Sequence, residues 1–316
     1  MTSSVSQNII HKTTLGIKLN SSLKKNSVPI EEPCSENRIS IYTPESALLN
    51  PMKLIREMFR DLIASRKLAW RLFVRDLSAR YRQSFLGYVW AFLPPIVATF
   101  TFVLLNRSGI LNVGDLPLPY PAYVMIGTLL WQVFADSINS PIKTVMAAKS
   151  MLAKINFPRE AILISGMLEV LFNFVIRLVL LAAVFIYYGI DPPLTAPFAF
   201  IGIFAIFCLG FMIGLLLTPL GLLYSDIGQA LSMALSFWML FTPVVYSPPT
   251  MGILAQLTLI NPVSPLIVVT RECLAIGATS NLLPALIVFS ITIFLLSVGW
   301  LLYRLAMPIL VERMGG

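Results

Sequence analysis

Residues Leu68 to Leu105 read LAWRLFVRDLSARYRQSFLGYVWAFLPPIVATFTFVLL, and this stretch decides the fold. Its first half is basic and amphipathic, setting Arg71, Arg75, Arg80 and Arg82 against Trp70, Phe73 and Leu77. From Gly87 onward it carries no charge and is long enough to cross hydrocarbon. A helix that lies on a membrane surface and then bends into a span fixes one end of the protein at one face. Pro94-Pro95 inside that span should kink the helix and free backbone carbonyls for neighbouring helices to satisfy.

Composition sets the class. Apolar types make up 57% of the 316 residues and charged types 12%, against roughly 25% charged in soluble domains. Mean hydropathy is +0.82. The chain therefore reads as an all-α integral membrane protein. Its net charge of +8 gathers near one end and leads straight into hydrocarbon. Anionic headgroups explain that better than nucleic acid, which needs aromatics interleaved with basic residues on a soluble surface. Cys34, Cys208 and Cys273 show no disulfide or metal spacing, and His11 lies in a polar tail.

Working outward, residues 1–42 are rich in Ser, Asn, Lys and Glu and are expected to be a disordered cytoplasmic tail without a signal peptide. Residues 43–84 are expected to form amphipathic interfacial helices. Thr43-Pro44-Glu45-Ser46 and Asn50-Pro51 supply start signals, and Met52, Ile55, Phe59, Leu62 and Ile63 recur at helical spacing. Residues 85–304 read as six crossings: 87–105, 121–140, 161–188, 197–223, one ending near Val245 or Tyr246, and 283–302. Residues 305–316 form a second cytoplasmic tail. Five prolines break the uncharged stretch from Ile227 to Thr270, which predicts two short helices dipping into the far face between spans five and six. The segment after span two, with Lys143, Lys149, Lys154 and Arg159, reads as a short helix ended at Asn156-Phe157-Pro158.

Span three contains Glu169, Asn173 and Arg177 on one slowly turning face, with Glu169 about 12 Å and Arg177 about 24 Å along it. A charge at that depth costs at least roughly 2.5–3.5 kcal/mol without a partner. Either Glu169 and Arg177 form a buried pair that fixes packing, or they act in gating. In span four Gly210 and Gly214 form a G-x-x-x-G, a weak sign of close helix approach. Basic residues from Lys53 to Arg82, against Arg107 and Arg271 on the other side, put both termini in the cytoplasm.

No nucleotide-binding G-x-x-x-x-G-K-[ST], no H-x-x-x-H, C-x-x-C or G-x-S-x-G, and no carboxylates paired at a spacing that suggests acid/base work occur. No catalytic or metal site is expected, and the layout is that of a transport pathway driven from outside the chain. An ion-coupled secondary transporter would need intramembrane carboxylates, for which Asp136 and Glu169 are the candidates. A lipid-linked glycosyl or acyl transferase would need a clustered acid/base set, which is absent.

Arg75 to Pro95 resembles the opening motif of ABC exporter permeases for polysaccharide, O-antigen, capsule and teichoic acid. Phe157-Pro158-Arg159-Glu160, Tyr224-Ser225-Asp226, Pro243-Val244-Val245-Tyr246 and Asn261-Pro262 are similar to further elements of that family, in its order. The resemblance implies a homodimer in the bacterial inner membrane with two ABC ATPase subunits below, which hold ATP and Mg while this chain binds no cofactor. It implies a channel at the dimer interface for a lipid-linked glycan. It also implies coupling contacts at Lys143, Lys149, Lys154, Arg159 and Asp226, which otherwise read as ordinary loop charge and a helix cap. Trp90, Phe100, Trp131, Phe134, Trp238, Phe241 and Tyr246 either stack on sugar rings or serve lipid contact and core packing.

Overall fold

The computed structural model describes residues 51–82, 89–110, 113, 116–154, 158–224, 226–248, 251–277, 279–280 and 282–315. The tail expected over 1–42 with His11 and Cys34, the caps before Pro51 and the start of span one at Gly87 lie outside these residues, as do Asn156, Phe157 and Ser225.

Every regular element among the described residues is a helix. The amphipathic region is one helix, α1 (Pro51–Arg82), rather than two. Met58, Ser65, Ala69, Leu72 and Phe73 are buried, while Arg56, Arg60, Arg66, Lys67, Arg71 and Arg75 are exposed. Arg80 and Arg82 sit in its last turn, where the helix dipole favours positive charge. Next comes α2 (Val89–Arg107), mostly exposed and buried at Pro95 and Thr99. Pro94 and Pro95 lack the N–H groups that would reach the carbonyls of Trp90 and Ala91.

At the centre stands α3 (Tyr120–Ala147). Residues 122–131 are buried without a break, as befits a helix that meets neighbours all round. It continues past the boundary expected at Ser140, because Val145 and Ala148 are buried in a second core layer. Then follow α4 (Lys149–Lys154), α5 (Glu160–Tyr188) and α6 (Ala196–Leu223). Gly189 ends α5 in the left-handed region at φ 61°, a conformation in which glycine avoids the Cβ penalty.

Beyond α6 lie α7 (Ile227–Leu240), α8 (Ile253–Ile260), α9 (Val263–Ala275) and α10 (Leu282–Gly315). The pair α8 and α9 occupies the stretch expected to hold two short helices. α10 runs unbroken through the expected tail boundary at 304, since Tyr303 and Met307 are buried against α1, α4 and α5.

Among the described residues, four helices are long and apolar enough to cross a membrane: α2, α5, α6 and α10, the last over Leu282–Leu310. α3 has the length, but Gln132, Asp136 and Asn139 dilute its apolar character. α7 has 14 residues.

The glycines of α6 determine how closely it seats on α3. A Cβ on Gly210 would lie 2.6 Å from the Phe134 carbonyl oxygen, and one on Gly214 would overlap the Ile138 carbonyl. Near the end of α6 the Gly221 position meets Ile142, so the α6–α7 turn lies at the same basic end as Lys143.

Candidate functional site

At the basic end the helices are joined by guanidinium groups. Arg304 of α10 donates from Nη2 to Asp61 Oδ2 of α1 at 2.8 Å and from Nη1 to Glu160 Oε1 of α5 at 3.3 Å. Arg80 of α1 pairs with Glu169 of α5 at 2.5 Å. Deeper along α5, Arg177 Nη1 donates to Asp136 Oδ2 of α3 at 2.7 Å, with the Arg177 side chain 9% exposed. This corrects the pairing considered from sequence: Glu169 and Arg177 share a face of α5 but each finds its partner on another helix. Asn173 lies half-buried between them.

The residues expected to contact an ATPase gather at this end. Lys143 and Lys149 are exposed, and Lys154 closes α4. Arg159 is partly buried, and desolvation pushes its guanidinium below its ordinary range. Asp226 is exposed, and its carbonyl accepts the amides of Gln229 and Ala230 at 3.1 and 2.9 Å, opening α7.

The opposite end is built around Arg271, which is 2% exposed. Its guanidinium stacks on the Tyr123 ring at 3.8 Å, and it donates to the carbonyls of Pro243 at 3.1 Å and Val244 at 2.6 Å. Tyr123 Oη donates to the Tyr246 carbonyl at 3.0 Å. Gly127 makes room: a Cβ there would overlap both the Val244 carbonyl and Arg271 Nη2. Asn261 completes the network. Its Nδ2 donates to Thr242 Oγ1 at 2.8 Å, and its Oδ1 accepts from Trp238 Nε1 and from the Val263 amide, each at 3.1 Å.

From sequence, Arg271 reads only as a far-side charge and Asn261 only as part of a motif. The available signal was a lone Arg-Glu pair set in the apolar run of α9, which must find partners if it is buried.

The seven aromatics divide. Trp131, Phe134 and Trp238 pack together, with successive centroids 5.3 Å apart, and Phe134 is wholly buried. Trp90 and Phe100 lie exposed on α2, and Phe241 is exposed after α7. Tyr246 is half-buried, its hydroxyl donating to the Leu240 carbonyl at 3.1 Å.

Residues 67–275 match the ABC-2 type transporter family. An O-antigen export system permease protein RfbA of Myxococcus xanthus is 30% identical over 203 residues, 62% of this chain and 72% of the relative. Two proteins of the same name from Klebsiella pneumoniae are 26% and 27% identical over 181 residues, 55% of this chain and 66% of each relative. With the family match covering more than half of its length, this chain belongs to the ABC-2 type transporters, as a permease.

Proposed function

We propose that this chain is the transmembrane subunit of an ATP-driven exporter that moves a lipid-linked polysaccharide or polyol-phosphate polymer across the cytoplasmic membrane. ATP and Mg²⁺ are held by two separate ABC ATPase subunits, and two copies of this chain form the channel. The observation that carries the reading is the similarity of most of the membrane part to permeases named for O-antigen export. The geometry supports it: Lys143 and Lys149 stand exposed at the end where Asp226 and Arg159 also lie, a contact face for a motor.

In this reading all of α2, α3, α5, α6, α7 and α10 cross the bilayer, α8 and α9 dip into the outer face, and both termini are cytoplasmic. Trp90, Leu93, Val97, Phe100 and Leu104 are exposed on α2 at spacings of three and four, the stripe two packed helices share. Where the two stripes part to open the channel, the exposed rings of Trp90 and Phe100, with Phe241, would offer weak, repeated stacking to sugar C–H faces. Trp131, Phe134 and Trp238 pack against one another instead.

Ion-coupled transport draws no support, because Asp136 and Glu169 are both engaged by guanidinium groups. The test is reconstitution with and without an ABC ATPase subunit that co-purifies with this chain. ATP-dependent passage of the lipid-linked polymer is expected only with both. Movement by this chain alone down an ion gradient overturns the reading.

A further inference from the structure

Among the described residues, Arg304 is the guanidinium that bridges carboxylates from two other helices. Asp61 comes from α1 and Glu160 from the first turn of α5, immediately after Pro158 and Arg159. The exposure of the three side chains is 14% for Arg304, 24% for Asp61 and 9% for Glu160. We propose that Arg304 is a positioning residue that locks α1 to the start of α5, so that α1 and the Arg159–Glu160 end of α5 move together during transport. This rests on the reading of the chain as an ATPase-driven permease.

The physical case begins with what lies beneath the bridge. Ala69 and Leu72 of α1, Leu152 of α4, Ala161 and Ile162 of α5, and Tyr303 and Met307 of α10 form one apolar layer. Such a layer holds helices together but is non-directional, so it does not by itself fix the register of α1 along its neighbours. A planar fork with fixed donor directions does.

The second ionic contact of α1 strengthens the case. Arg80 pairs with Glu169, 19 residues beyond Asp61, about 28 Å along the helix. α1 is thus pinned at two separated points, one beside Arg159 and Glu160 and one in its own last turn. A displacement at the first point has a rigid path to the second. Glu160, the last residue of the Phe157–Glu160 element, also gains a specific role as the α5 anchor of the bridge.

Asp61→Asn is the cleanest test, because it keeps the side-chain shape and leaves the Arg304–Glu160 contact in place. In the complex with its ATPase, this variant is expected to co-purify and hydrolyse ATP as the wild type does. Polymer exported per ATP should fall at least five-fold. Arg304→Lys reaches one carboxylate at a time and should fall between wild type and Asp61→Asn, while Arg304→Ala should fall at least as far as Asp61→Asn. Wild-type export per ATP in both Asp61→Asn and Arg304→Lys overturns the proposal. So does a proportional loss of hydrolysis and export, which marks a purely structural role.

Spin labels at Arg56→Cys and Lys149→Cys, in a Cys34→Ser background with Cys208 and Cys273 buried, give a readout that needs no transport. The distance distribution between α1 and α4 should be narrow in the parent and broaden on Asp61→Asn, and an unchanged width overturns the positioning itself. Absence of any ATP-dependent export by the wild-type complex would instead strike the functional reading, leaving the distance measurement to decide the bridge.

Discussion

Arg271 has no carboxylate within ion-pair reach among the described residues. Its charge is met instead by the Pro243 and Val244 carbonyls and the face of Tyr123. Hydrogen bonds to a charged group are each worth about 1.5–3 kcal/mol, and leaving buried acceptors unmade adds to the loss. Arg271→Met should therefore lower stability by about 2–4 kcal/mol. Arg271→Lys should fall between the two, since an ammonium cannot reach both carbonyls and stack on the ring at once. Tyr123→Phe removes one bond to the Tyr246 carbonyl and should cost about 1 kcal/mol. Thermal unfolding of the detergent-solubilised protein orders the three variants, and equal melting temperatures would contradict this account. The same scale shows where sequence reading stops. Glu169 and Arg177 were legible as buried polar residues of one helix face, but spacing along one helix carries no information on what the neighbouring helices present. Their partners, Arg80 and Asp136, lie 89 and 41 positions away in the chain.

Helix packing supplies the next level of specificity. Without a hydrophobic drive between helices in lipid, close approach and dispersion contacts decide association. α6 meets α3 at Gly210 and Gly214, where added Cβ atoms would run into the backbone carbonyls of Phe134 and Ile138. Backbone cannot step aside as a flexible side chain can. Gly214→Val should therefore force the helices apart and cost upward of about 2 kcal/mol. Gly228→Ala in α7 is the contrast: nothing lies within 4 Å of the added Cβ, and alanine favours a helix over glycine by about 0.8–1 kcal/mol. Size-exclusion profiles after graded heating should show early loss for Gly214→Val and none for Gly228→Ala. The G-x-x-x-G was visible in the sequence, but a glycine pair does not announce which helix it receives. Helix ends are hard to read from sequence for a related reason. α3 and α10 run past the boundaries that charge and the expected membrane edge suggest, because the second core layer gives Val145, Tyr303 and Met307 apolar neighbours beyond the main one.

At the scale of the whole molecule, the order of helices was legible because proline and charge punctuate it, and the paired short helices α8 and α9 follow from the prolines between Pro243 and Pro265. The expected six crossings need α3 and α7 to join the four helices that are long and apolar enough, and α7 is the shorter of the two. Its 14 residues extend about 21 Å, short of the roughly 30 Å of hydrocarbon. Yet the turn after it continues inward: the Val244 carbonyl abuts Gly127 of α3, a point about 30 Å along α3 from Ala147. The helix and its turn together therefore cover the distance that α7 alone does not. With α7 as a crossing, α5, α6 and α7 separate Lys149 from Met251, and these residues face opposite sides. Were α7 to stop within the bilayer and return, only two crossings would separate them and both would face the same side. Lys149 and Met251 are exposed and Cys208 and Cys273 are buried, so in a Cys34→Ser background single cysteines at 149 and 251 can be labelled selectively with a membrane-impermeant thiol reagent. Met251→Cys should react in intact cells and Lys149→Cys only in inverted vesicles. Reaction of both from one side would remove α7 as a crossing, and with it the even number of spans that places the two termini together.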